Sequence, residues 1–106
     1  MADERITYDF HPEARLEYSE AAAFYESRRH GLGAAFTIEV EATIARILEA
    51  PDRWRAIEQD VRRCLTHTFP YGILYTIEQD SILIVSVMHL RRKPGYWRDR
   101  LPESAA

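Results

Sequence analysis

The residues of this chain best suited to chemistry are crowded into one stretch, His89-Leu90-Arg91-Arg92-Lys93-Pro94-Gly95-Tyr96-Trp97-Arg98-Asp99-Arg100. Five of these twelve residues are Arg or Lys and one is acidic, on a chain whose formal net charge is -3. Positive charge is therefore gathered here against the trend of the whole molecule. Arg and Lys form strong charge-assisted hydrogen bonds to anions, so the stretch suits a surface facing phosphates or carboxylates. The plainer alternative is a solvated tail that keeps the chain soluble. The stretch directly follows the most apolar run of the sequence, Ser81 to Met88.

Other chemistries are poorly provided for. The single cysteine, Cys64, excludes an internal disulfide, and its neighbours read as those of a buried strand thiol rather than a nucleophile. His11, His30, His67 and His89 are scattered without ligand spacing, so neither a metal nor another cofactor is expected. With 106 residues and 46% hydrophobic content, residues 1–106 fit a single domain with a small core. No apolar stretch approaches the ~20 residues that span a bilayer. Met1 to Arg5 lacks the order of a secretion signal, so a cytoplasmic location and no membrane partner are expected.

The charge is asymmetric. Residues 1–50 carry five Arg and ten Asp or Glu, a net of -5, whereas residues 51–106 carry nine basic and seven acidic residues, a net of +2. The two halves therefore face different partners. A weakly acidic total argues against indiscriminate nucleic-acid binding, which phosphate neutralisation drives, but it leaves room for a local site.

The elements that must position the basic stretch follow from periodicity. Arg5 to Phe10 alternates apolar and polar residues, as a half-buried strand does. Pro12 suits the first turn of a helix that carries Ala14, Tyr18, Ala21, Ala22 and Tyr25 on one face. Gly31-Leu32-Gly33 breaks that helix, with Gly31 suited to a left-handed backbone. Ala34 to Ala50 forms a second helix with a stripe of Phe36, Val40, Ile44, Ile47 and Leu48, and Pro51 ends it. So short a link predicts an antiparallel helical hairpin. Val61 to Phe69, Tyr71 to Gln79 and Ser81 to His89 read as a three-stranded meander, with Pro70 at a strand junction and Gln79-Asp80 at a turn. Ile82 to Val85 is apolar on both faces and points to a central strand, and His67 reads as a core-edge residue. Arg62 and Arg63 fall on opposite strand faces, one of them placed to pair with a helix carboxylate. One of Tyr96 and Trp97 is expected to anchor the C-terminal segment.

In this order the elements resemble the RelE/ParE superfamily of toxins from type II toxin-antitoxin, or plasmid stabilisation, systems. The likeness covers about residues 6–101. It is carried by Pro12-Glu13-Ala14, Phe24-Tyr25-Glu26, Gly31-Leu32-Gly33, Val61-Arg62-Arg63, Phe69-Pro70-Tyr71 with Tyr75, and His89 to Trp97. The resemblance implies an α+β fold of order β-α-α-β-β-β, in which a helical hairpin packs on a four-stranded, mainly antiparallel sheet. The first strand would lie parallel to the last, and a short basic segment would close the chain. It also implies a growth-arresting toxin neutralised by a cognate antitoxin, whose Lys and Arg would suit the acidic helices.

Two targets remain open on that resemblance. A ParE-like toxin engages an essential enzyme such as DNA gyrase without chemistry of its own. A RelE-like toxin cuts mRNA on the ribosome without a metal, which requires a base, an acid and cations for the transition state. The positions similar to those of cleaving members are Arg63 for the phosphate, His89 for proton transfer, Arg91 or Arg92 for transition-state charge, and Tyr96 as an acid or stacking surface. Glu58 would stand where some members keep a carboxylate base. The chain departs from the cleaving pattern in having one lysine, Lys93, and an acidic total, which favours the gyrase reading. A toxin-like chain that only binds antitoxin is the third possibility.

Overall fold

The computed structural model describes residues 6–101. The elements in chain order are β1 (Thr7–Phe10), α1 (Pro12–Arg28), α2 (Leu32–Glu49), β2 (Ala56–Glu58), β3 (Val61–Leu65), β4 (Tyr71–Ile77) and β5 (Ser81–His89), followed by a 3₁₀ turn at Arg98–Arg100. The five strands form one mixed sheet of order β1-β5-β4-β3-β2, in which only the β1–β5 pair is parallel. The α+β class and the parallel first strand are as expected. The strand count differs by one, because Ala56–Glu58 is too short to show a period of two and forms an added edge strand against β3.

Three expected strands are also shorter, the first of them β1, which opens at Thr7 and leaves out Ile6. β3 stops at Leu65 rather than Phe69, because the chain turns there and Glu39 on α2 accepts hydrogen bonds from the backbone N–H groups of Thr68 and Phe69. That loop leaves His67 exposed, not at the core edge. β4 ends at Ile77 instead of Gln79, and it takes the middle of the sheet, with β5 one place further out. Neither Arg62 nor Arg63 pairs with a helix carboxylate among the described residues. Arg62 instead donates to the carbonyls of Asp52 and Trp54.

The hairpin packs antiparallel, since Glu26 of α1 meets Gly33 at the start of α2 while Tyr18 reaches Thr37 and Glu41 further along it. Both oxygens of the Glu26 carboxylate accept from Gly31 N at 3.0 Å, and one also accepts from Gly33 N, so α1 supplies the N-terminal cap of α2. Gly31 does adopt the left-handed backbone, φ +89°, but as the residue that opens α2. Gly33 is required by space: a Cβ there would lie 2.6 Å from the Ala22 carbonyl oxygen and 2.9 Å from Glu26 Cβ. Gly33→Ala must push the helices apart, and we expect it to cost about 1–3 kcal/mol in urea unfolding.

The main core lies between hairpin and sheet, where Phe36, Val40, Ile44 and Ile47 meet Cys64, Ile73, Tyr75, Ile82, Ile84 and Val87. A second cluster of Val61, Leu74, Val85, Met88 and Trp97 lies on the opposite sheet face. Strict alternation would put Val87 opposite Ile84. A β-bulge removes that conflict: Tyr75 pairs with Ile84 but Leu74 pairs with Ser86, leaving Val85 as the extra residue. The bulge turns Val87 toward the helices and Met88 toward Trp97. Among the described residues, no helix is long and apolar enough to cross a membrane.

Candidate functional site

β5 runs nine residues, but β1 pairs only with its first four, Ser81 to Ile84. His11 N donates to Ile84 O as the chain turns away into α1. The edge of β5 is then left without a strand from Val85 onward, and its polar backbone groups require other partners. Two side chains meet that need. Val87 N donates to Glu17 Oε1 at 3.0 Å, and Arg100 Nη1 donates to Val85 O at 3.1 Å.

Glu17 and Arg100 also bind each other in a two-pronged pair, Nη1 to Oε1 at 2.9 Å and Nη2 to Oε2 at 2.8 Å. Tyr96 donates its hydroxyl to Glu17 Oε2 at 2.7 Å, and Ser86 Oγ lies 3.0 Å from Oε1 and 2.7 Å from the Tyr96 oxygen, with one proton to give to either. The Arg100 and Glu17 side chains are only 7% and 14% exposed, so the pair is nearly dry. Burial alone would raise the Glu17 pKa, but the hydrogen bonds from Arg100 and Tyr96 and the Arg100 charge more than offset it and hold the carboxyl below its ordinary range. Tyr96 moves the other way: burial, then the bond to ionised Glu17, pushes its hydroxyl up to about 12 despite the opposing bond to Ser86. The Arg92 guanidinium lies 3.9 Å from the Tyr96 ring centroid and 3.9 Å from Glu17.

The sign of the linkage is fixed by that depressed carboxyl. Its stabilisation is fully present above the ordinary value of 4.5 and is lost as pH falls through the lower folded value. Melting temperature should therefore drop on acidification below about pH 5, and Glu17→Gln should flatten this dependence. An equally steep profile in Glu17→Gln would show that other carboxylates control it.

The C-terminal segment crosses the sheet as a strap. Trp97 is buried against Val61, Leu74, Val85 and Met88, and beyond it Arg98 grips Glu58 at the end of β2 through Nε and Nη2. Both Tyr96 and Trp97 are therefore anchors, where one was expected. Gly95, at φ +81°, leaves room for the Arg98 guanidinium, whose carbon would lie 2.4 Å from a Cβ there.

The expected site residues are thus divided. Tyr96 and Arg92 converge on Glu17, as above. His89 stacks edge-on against Tyr71, and its Nδ1 accepts from Arg91 N at 3.0 Å, which puts the proton of the neutral ring on Nε2. Arg91 is exposed. Arg63 is exposed on the strap side of the sheet, two strands from Ser86, since both pair with Leu74; that spacing is about 10 Å. Glu58 is bound by Arg98. Glu17, Ser86 and Arg100 were not foreseen, although Glu17 falls three residues after Ala14 and four before Ala21, on the inward face of α1. An acid on that face was the available signal.

A family model described as the ParE toxin of the type II toxin-antitoxin system parDE matches residues 8–94. The solved structure of a chromosomal ParDE TA system from P. aeruginosa superimposes with a TM-score of 0.73, covering 84% of this chain and 100% of that chain at 8% identity. No curated protein matches the sequence.

Proposed function

Because the chain belongs to the ParE toxin family of type II toxin-antitoxin systems, we propose that it arrests growth by binding an essential target such as DNA gyrase, without cutting RNA. The observation that carries this reading is the engagement of the groups that would move protons. The Tyr96 hydroxyl is given to Glu17, the Glu58 carboxylate to Arg98, and His89 Nδ1 to a backbone N–H. With Nδ1 accepting from Arg91 N, the His89 tautomer that fits carries its proton on Nε2, as a donor. What remains for a partner is a set of exposed cations, which suits recognition.

Neutralisation by a cognate antitoxin is part of the proposal. The outer face of the hairpin exposes Leu16 and Phe24 on α1 and Ile38 on α2 among Glu20 and Glu41. An amphipathic segment carrying Lys and Arg fits that mixture, its apolar side chains on the leucine, phenylalanine and isoleucine.

The test is a double variant, His89→Asn with Glu58→Gln, in which the asparagine can still accept from Arg91 N and the glutamine keeps one of the two Arg98 bonds, while both lose proton-transfer capacity. Growth arrest should persist at the wild-type level of induction. General acid-base catalysis contributes roughly 10²–10⁴-fold, so a cleaving toxin would lose activity by that order and overturn the reading.

A further inference from the structure

The strap does not cover the whole far face of the sheet. At Gly72 of β4 the nearest side-chain atoms to an added Cβ are Arg63 Cγ and Cδ at 3.1 Å and Leu65 Cδ2 at 3.6 Å, so these two stems lie over bare backbone. Gly72 is paired with Leu65 on one side and Met88 on the other. Two residues beyond Met88, Leu90 N donates to Pro70 O, which brings Leu90 to the same end of the sheet. Leu65 and Leu90 are 46% and 44% exposed, and what gives them weight is that both stand at this one end of the sheet.

The cations at this end are sorted by the acidic groups. Arg92 and Arg100 lie against Glu17, and Arg98 against Glu58. Arg63, Arg91 and Lys93 are exposed, and among the described residues no carboxylate lies within salt-bridge distance of them. Arg63 and Leu65 thus lie together over Gly72, and Leu90, Arg91 and Lys93 follow in the loop that leaves the same end of the sheet, on a chain of net charge -3.

We propose that Arg63, Leu65, Leu90, Arg91 and Lys93 form one docking face for an acidic, partly apolar protein surface on the target. This rests on the binding reading above. Charge complementarity selects an acidic partner. The leucines select a protein over a nucleic-acid backbone, because phosphates would satisfy the cations and leave both leucines wet. Arg92, Arg98 and Arg100 lie outside this face and serve the strap.

The experiment uses the full chain, purified DNA gyrase and a DNA duplex as probes, and two double variants, Leu65→Ser with Leu90→Ser and Arg91→Glu with Lys93→Glu. Both pairs are exposed, so melting temperature should stay near wild type. Each double variant should weaken gyrase binding at least tenfold, with no measurable binding to the duplex. Loss in the charge variant alone, with the duplex bound by wild type, would overturn the proposal in favour of phosphate recognition. Unchanged affinity in both would remove this face from the interface. If wild type does not bind gyrase, that target fails, and growth arrest by the same variants decides the face: loss in both keeps an acidic protein partner, and retention in either sinks it.

Discussion

Glu17→Ala is expected to destabilise the protein by about 3–5 kcal/mol, the cost of leaving one member of a buried ion pair without its partner. The substitution takes the carboxylate from the Arg100 guanidinium, which keeps Val85 O, takes the charged acceptor from the Tyr96 hydroxyl, which keeps Ser86, and leaves Val87 N without an acceptor at an edge no strand covers. A small domain is stable by only about 5–15 kcal/mol, so this one change removes a large share of that stability. For a chain near 100 residues each 1 kcal/mol moves the melting temperature by about 4–8 °C, giving a fall well above 10 °C. Urea unfolding of Glu17→Ala and Glu17→Gln checks this. The glutamine should fall between wild type and alanine, since it keeps an acceptor but not the charge. A loss below about 1 kcal/mol in Glu17→Ala would mean that the network is solvated and worth no more than a surface pair.

Trp97→Ala carries the second large effect. Its indole is the buried centre of the strap-side cluster, and truncating a core aromatic costs about 3–5 kcal/mol. Its functional consequence differs from that of a core mutation under the hairpin. Without Trp97 the strap loses its buried centre and is held by Leu101 at the rim of that cluster and by the polar contacts of Arg98 with Glu58 and of Tyr96 and Arg100 with Glu17. The loop carrying Arg91 and Lys93 then loses its fixed return. Growth arrest should fall more than antitoxin binding, because the hairpin face is built without the strap. Trp97→Phe should restore most of both. Equal loss of antitoxin binding and growth arrest would show that the variant unfolds globally rather than releasing the strap.

Much of the fold was legible because it is local. Pro12, the 3.6-residue stripes on α1 and α2 and the helix break at Gly31 act within a few residues and appear in the fold, whereas the strand read up to Phe69 stops at Leu65 and Gly31 opens α2 instead of closing α1. The three-residue β2 was not legible, since it follows from pairing with β3 rather than from any pattern of its own. The bulge at Val85 was equally hidden. Ile82, Ile84, Ser86 and Met88 are in phase on paper, and only the pairing of β5 with β4 breaks that phase.

The candidate site was legible in composition and not in connectivity. The basic stretch identified the strap, but separating its structural cations from its available ones required Glu17 and Glu58, 83 and 40 residues distant from the arginines that they hold. A sequence shows that Arg91, Arg92, Arg98 and Arg100 are near one another. It does not show that a carboxylate on α1 reaches the open edge of β5 and claims Arg100 and Tyr96. The consequence is that Tyr96 anchors the strap by giving its hydroxyl to Glu17.

The most direct test of the central claim is induction of the chain in growing bacteria, with mRNA 5′ ends mapped and plasmid supercoiling assayed from the same culture. A binding toxin of the gyrase type predicts altered supercoiling with messages intact. New 5′ ends within translated codons, with supercoiling unchanged, would contradict it and return His89, Glu58 and Tyr96 to catalytic work.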